Sequence, residues 1–548
     1  MKYQFTFTWM KRIGLVLMIC LLGIKGYGQM GEWTWMNGDS TLNSLGHYGT
    51  QGVFSPNNTP SGLYETCEWT DLEGNFWLFS GVGGNGLGDL WEFKPMLNQW
   101  ALIKGDTTGN GAGIYGVQGI PAPANNPGGR AWGVATWVDT TGDLWLFGGD
   151  GNDINGNNGY LNDLWRYNIS TNEWTWISGK NIVNDTGNYG IILISNPQNR
   201  PPARSETNAS WTDNNNNLWL FGGVGLSGLC ISDMWKFETS SLQWIWMKGP
   251  NIPNQPAVYG TKGIPDSTNT PSGRMCYAKW KESNGSFWLF GGEDSNGTEN
   301  DLWNFNPITL NWTWMKGSNI GGYTDTSGTQ CNEMLDLNPS SRYENRSCWT
   351  RKCDNFVNFG GSYSSGQENY NDLWNYNVMS NKWTLMNGSV IYNQLGNYGT
   401  ILVSTSNNMP PSRFGSVGWS DILGNLWLFG GWKDDLSPKY FNDMWKFTPD
   451  TTCPNLCLGE GIRQVKVQPT ISIYPNPNNG TFTLSYSQLQ IPNSQFIIVD
   501  VLGRTVYTHY IYNIEGKETI DVSDLSNGVY FYQLINGKET LRGKFVKE

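Results

Sequence analysis

Five arginines recur at one point of a repeated text: Arg130, Arg204, Arg274, Arg342 and Arg413 each open a short segment that runs into a tryptophan. A guanidinium is a planar fork that grips a carboxylate through two parallel hydrogen bonds. Five of them around one opening would take a carboxylate-bearing ligand such as an acidic sugar or a peptide. The same recurrence also suits a structural job, each Arg stacking on Trp or pairing with a turn carboxylate. Tyr115 and Tyr259, at matching points of "IYGVQG" and "VYGTKG", offer flat rings that stack on sugars or peptides, or that pack a loop on its neighbour. Asp89, Asp163, Asp233, Asp301, Asp372 and Asp443 recur in every repeat and read as turn caps, since a reaction centre breaks symmetry. Unrepeated carboxylates are Glu65, Asp150, Glu293 and Glu344. Acid–base work on sugars needs such groups, but none sits in a diagnostic motif and no catalytic residue is assigned.

Several chemistries fall away by subtraction. The chain has two His, His47 and His509, so Ser–His or Cys–His nucleophilic arrangements lack a base. "DGNDINGN" (Asp150–Asn157) spaces oxygen ligands as calcium sites do, without the distal Glu of an EF-hand. Calcium there is the one cofactor weighed; no other metal or cofactor is expected. Of nine Cys, eight remain after Cys20. "CWTRKC" (Cys348, Cys353) and "CPNLC" (Cys453, Cys457) read as disulfides or free thiols rather than zinc ligands, because no histidines cluster near them.

The elements that must position these groups come from a repeat. An aromatic strand ending in glycine recurs six times, as "FWLFSG" (Phe76–Gly81), "LWLFGG" (Leu144–Gly149), "LWLFGG" (Leu218–Gly223), "FWLFGG" (Phe287–Gly292), "FVNFGG" (Phe356–Gly361) and "LWLFGG" (Leu426–Gly431). A Trp precedes each, an Asp-Leu/Met-Trp segment follows, and a Trp-x-Trp phrase closes the unit, making four strands per repeat. Six copies of the first three strands are followed by only five of the fourth. The missing one stands at the front, in "GEWTWMNG" (Gly31–Gly38). It completes the last sheet only if the chain closes on itself, which predicts an all-β, six-bladed β-propeller sealed by its N-terminal strand. Alternating strand direction then gathers the long loops, such as Lys180–Pro202 and Pro250–Gly273, on one face with the opening ringed by Arg.

Over Glu32–Phe447 the Gly pair, the aromatic spacing and the later Trp resemble kelch repeats, with longer units and Trp where many kelch proteins carry Tyr. The resemblance implies a galactose-oxidase-like scaffold that hosts enzymes and binders alike; the copper chemistry of that group needs imidazoles this chain lacks. Beyond a linker, 448–469, the text changes to short alternating strands over 470–548, a small β-sandwich. "YPNPNNG" (Tyr474, Pro475, Asn476, Pro477, Gly480), "DVLGR" with Gly503, "LSNGVYFY" with Gly528 and Tyr530, and the terminal "KFVKE" resemble the C-terminal sorting domain of the type IX secretion system of Bacteroidetes. That resemblance implies export through the periplasm to the surface or medium, with the secretion machinery as partner.

The front agrees with export. Lys2, Lys11 and Arg12 precede an apolar run, Ile13–Ile24, and small residues follow, as in a signal peptide over 1–28. The run is too short to span a bilayer, and no later segment is longer. Its removal takes four basic residues, leaving 31 Lys and Arg against 46 Asp and Glu, which disfavours nucleic acid. The expectation is a monomeric propeller over 29–447 that binds an extracellular glycan or protein. A carbohydrate-active enzyme, such as a sugar epimerase, mutarotase, lyase or glycosidase, is the alternative, and a structural adhesion component a third.

Overall fold

The structure is a computed structural model that describes residues 31–83, 88–105, 111–207, 209–325, 330, 337–363, 367–433, 439–450, 470–487, 494–511, 516–536 and 539–548. The expected signal peptide and most of the linker lie outside them. The described residues form strands and no helix, in two compact units within Met1–Leu456 and Cys457–Glu548.

The first unit is propeller-like, built of four-stranded antiparallel sheets. Five follow the chain: Cys67–Thr70 to Gln99–Lys104, Ala135–Val138 to Glu173–Ser178, Ala209–Thr212 to Gln243–Lys248, Ala278–Lys281 to Asn311–Lys316, and Cys348–Arg351 to Lys382–Asn387. A sixth takes Val417–Ser420, Leu426–Phe429 and Met444–Pro449 from the end of the unit and Gly31–Asn37 from its start. In that pairing Trp33 lies opposite Phe447 and Trp35 opposite Trp445. The first strand of each sheet lies beside that of the next, and Val417–Ser420 lies beside Cys67–Thr70.

Aromatic burial explains why these segments become strands and stack. Second strands such as Leu144–Phe147 are buried at every position, as a sheet covered on both faces requires. Phe76 of the first sheet stacks on Trp419 of the sixth at 5.3 Å and 4°, and Phe287 stacks on Trp211 of the preceding sheet at 5.0 Å and 2°. In five of the six sheets the Trp of the first strand donates its indole N–H to a carbonyl of the next sheet: Trp69 to Trp145 O, Trp137 to Trp219 O, Trp211 to Trp280 O, Trp280 to Val357 O and Trp349 to Trp419 O, at 2.9–3.1 Å; Trp419 of the sixth has no partner for its indole N–H among the described residues. A buried indole N–H is costly unpaired, so these bonds set the order in which sheets abut. The Gly pair has its own cause. At Gly223 φ is +97°, and a Cβ there would stand 2.1 Å from Thr207 Oγ1, so only glycine fits.

The second unit is a sandwich of two sheets, Thr470–Tyr474, Thr481–Ser487 and Gly516–Asp521 against Thr505–Ile511, Ser494–Val499, Gly528–Asn536 and Glu539–Lys547. Phe482, Leu484, Phe496, Ile498, Ile520, Leu534 and Phe545 fill its core. The turn after Tyr474 hooks onto the final strand: Asn476 Oδ1 accepts from Val546 N at 2.9 Å, and Asn478 N donates to Val546 O at 3.0 Å. Gly480 (φ +99°) would place a Cβ 2.9 Å from Ser523 Cα. Gly503 (φ +78°) turns the chain between Asp500 and Arg504, and Tyr530 closes the Leu525–Gly528 turn by donating to Ser526 O at 2.7 Å. Pro475 and Pro477 follow cis peptide bonds, and Gly528 has open space around it.

Candidate functional site

The five arginines are not at the surface. Arg130, Arg204, Arg274, Arg342 and Arg413 have no exposed side-chain area and fork onto Asp163, Asp233, Asp301, Asp372 and Asp443 at 2.5–2.8 Å. Each also donates to the carbonyl of the first Gly of its Gly pair, as Arg204 does to Gly222 O at 3.1 Å. Tyr115 and Tyr259 complete the arrangement, donating to Asp163 Oδ2 at 2.7 Å and Asp301 Oδ2 at 2.9 Å. Trp165 and Trp303 donate to the same oxygens. The ring of guanidiniums read as a ligand surface is therefore a set of internal locks, because the recurrent Asp beside each Arg neutralises it in place. The recurrent Asp is its partner, more than a turn cap.

Two residues beyond each arginine, and beyond Leu63 at the equivalent place in the first repeat, the backbone enters the left-handed region. Glu65, Trp132, Glu206, Cys276, Glu344 and Gly415 all have positive φ, between +52° and +61°. Four backbone bonds join neighbouring members of this set: Glu65 N to Gly415 O at 2.9 Å, Glu206 N to Trp132 O at 2.7 Å, Cys276 N to Glu206 O at 3.4 Å and Gly415 N to Glu344 O at 3.0 Å. Four side chains of this ring converge, and Glu65, Glu206, Cys276 and Glu344 each bring one ligand-type atom within 4.8 Å of the others. Cys276 Sγ donates to Glu206 Oε2 at 3.0 Å. Glu65, Cys276 and Glu344 are buried, while Glu206 keeps some exposure.

Electrostatics there are severe. Burial, then the Glu65 charge, lifts the Glu206 carboxyl to about 8, with Arg346 and the Cys276 thiol pulling the other way. Burial and the Glu65 and Glu206 charges hold Glu344 well above the usual carboxylate range. Burial and Glu206 push the Cys276 thiol up. Burial opposes the charge of Arg346, but Glu65, Glu344, Glu206 and Glu68 outweigh it and hold it protonated.

Past Arg346 the axis opens into a cavity of about 340 Å³ lined by Glu68, Thr136, Ser210, Lys279, Cys348 and Gly418 among others. Lys279 donates to Ser210 Oγ at 2.6 Å. Burial raises Glu68 and lowers Lys279, each partly offset by the other. Cys348 is a free thiol and Cys353 is in a disulfide, so these two do not pair with each other. On the other side of the ring stands an aromatic rim. Tyr64 contacts Trp132, Phe414, Trp432 and Tyr440 at 5.0–6.2 Å between centroids, and Trp132 is 40% exposed. Trp432 and Tyr440 come from a hairpin that follows the sixth Gly pair.

Of the unrepeated carboxylates singled out in the sequence, Glu65 and Glu344 meet here. Glu293 lies near enough to raise Glu206. Asp150 stands in a separate hairpin, accepting from Asn158 Nδ2 at 2.9 Å. In that hairpin Asp153 Oδ1 caps the turn through Asn155 N and Asn157 N. Glu206, Cys276, Arg346, Glu68 and Lys279 were missed. For Glu206 and Cys276 the signal is a constant offset of two positions after the recurrent Arg204 and Arg274, read across units rather than along one.

Residues 472–548 match the family model of the secretion system C-terminal sorting domain. No curated protein matches the chain. Among solved structures it is similar to one titled "Structure of YjhT", at 13% identity and a TM-score of 0.44, over 70% of this chain and 95% of that one. The sorting domain indicates export by the type IX system to the cell surface or the extracellular space. Among the described residues no helix is long and apolar enough to cross a membrane.

Proposed function

We propose that the chain is an exported six-bladed propeller of kelch type, closed by its N-terminal strand, that binds carbohydrate at the axial mouth of its loop-rich face. The observation that carries this reading is the aromatic rim around Tyr64 and the exposed Trp132, adjoining carboxylates that converge from three different sheets. Flat rings cover the C–H faces of a sugar while carboxylates accept from its hydroxyls, and both are needed to prefer a sugar over water. A single axial site also suits a symmetric scaffold, since only on the axis do all six sheets reach one ligand.

A glycan array with the purified chain tests this. Trp132→Ala is expected to weaken binding about tenfold or more without lowering the melting temperature, because that ring is partly in solvent. Unchanged glycan binding by this variant would remove the rim from the site. A second reading, proton transfer on the bound sugar by Glu206 and Glu344, is favoured by their displaced acidities. Conversion of a bound sugar, followed by NMR and lost in Glu344→Gln, supports it.

A further inference from the structure

Carboxylates are normally buried here with donors around them: Asp163 receives Arg130, Tyr115 and Trp165. The axial cluster breaks that habit. Both carboxylate oxygens of Glu65 and Oε2 of Glu344 are buried with no amide, hydroxyl, indole or guanidinium donor among the described residues, and the Glu65 and Glu344 carboxyls lie within hydrogen-bond reach of each other. Acceptors facing one another must share protons or a cation. We propose that Glu65, Glu206, Cys276 and Glu344 form a binding site for one divalent transition-metal ion, of which zinc is the fitting member.

The donor set selects the ion. Calcium and magnesium take all-oxygen shells, whereas one sulfur with carboxylates suits zinc. Tetrahedral zinc with bonds of about 2.0–2.3 Å sets its ligand atoms about 3.3–3.8 Å apart. The four atoms here already lie within 4.8 Å of one another, and Cys276 Sγ to Glu206 Oε2 is 3.0 Å, so small side-chain rotations close the rest. The ion forms a bond to Sγ as the thiol proton leaves to solvent, and any carboxyl protons leave likewise. The cluster draws on four separate sheets, so an ion there would tie the first, third, fourth and fifth sheets together. The proposal is independent of the rings of the aromatic rim, but it assigns to the ion the carboxylates that the binding reading offers to a sugar's hydroxyls, so zinc uptake and glycan binding are measured separately.

The test uses the full chain, stripped with a chelator and retitrated. Zinc is expected to bind at one equivalent by calorimetry and to raise the melting temperature, with calcium giving neither effect. Cobalt(II) is expected to give a thiolate-to-metal charge-transfer band in the near ultraviolet. Cys276→Ser should abolish that band, and Glu65→Gln with Glu344→Gln should weaken zinc at least tenfold, while circular dichroism shows the fold intact. His509→Ala, which alters the exported tail, should leave both unchanged. The proposal is overturned if the stripped chain takes up no zinc, or if zinc and the cobalt band survive Cys276→Ser and the double Gln variant. Should the double variant misfold, the cobalt band in Cys276→Ser and Cys276→Ala decides alone.

Discussion

At the scale of single residues, the arginine locks carry the sharpest energetic expectation. A buried ion pair adds little over an apolar pair of equal shape, but stripping one partner strands a charge. In Arg204→Leu, Asp233 would keep Tyr189 and Trp235 as donors and lose its counter-charge, at a cost of about 3–5 kcal/mol. Leu63 holds the equivalent place in the first sheet and is 3% exposed, so leucine fits the space; what Arg204→Leu lacks is charge balance. Adding Asp233→Asn should recover part of the loss in urea unfolding, and no recovery would show that shape rather than charge sets the cost. A second titrating residue gives a pH signature. Burial, with Asp301 and Asp294 adding and Arg274 subtracting, lifts Glu299 from 4.5 to about 8. Since its folded pKa lies above its unfolded one, its contribution is full below about 4.5 and is lost as pH rises towards 8. The urea midpoint is therefore expected to fall between pH 5 and pH 8.5, and to fall less in Glu299→Gln; an equal fall in both would exclude Glu299 as a source.

At the scale of elements, the strand Gly31–Asn37 is the piece on which the architecture turns. Trp33 is fully buried, its ring 5.4 Å from Phe359 of the fifth sheet and 5.1 Å from Phe447 of its own. Truncation to Ala should cost about 3–5 kcal/mol, read as a shifted denaturation midpoint; a loss near zero would mean the strand only decorates the sixth sheet. This pairing was legible in the sequence because a strand's aromatic alternation is local and its copies can be counted. The axial cluster was not. Glu65 and Glu344 are 279 positions apart (344 less 65), and no local pattern announces that they meet. Glu206 and Cys276 sit at the same offset in units whose other copies hold Trp132 and Gly415, so repetition hides them by varying there. The arginines failed the opposite way: their type was conspicuous, but their partner Asp lies some thirty residues on, just ahead of the third strand of the sheet.

At the scale of the whole molecule, export and the proposed closure make different demands on the chain. The tail's turn at Asn476 and Asn478 is tied to Val546 in the last strand, so the motif residues and the chain end form one folded signal. Deleting 472–548 is expected to leave the protein in the periplasm, as cell fractionation would show. Closure can be tested without touching a single contact. If Gly31–Asn37 is the fourth strand of the sixth sheet because of its pairing with Met444–Pro449, its place in the sequence is immaterial. Moving 31–38 to follow Pro449 through a short turn would convert a pairing between distant segments into a hairpin. The loop closed by that pairing would shrink from the whole ring to a few residues, and closure entropy grows with loop length, though slowly. The permuted chain should then unfold at a denaturant midpoint equal to or above that of the parent and refold faster, since a local hairpin replaces the longest-range contact. A permutant that folds less stably, with Trp33 and Trp35 fluorescing as solvent-exposed rings, would show that the strand's natural position at the start of the chain does something beyond filling the sixth sheet.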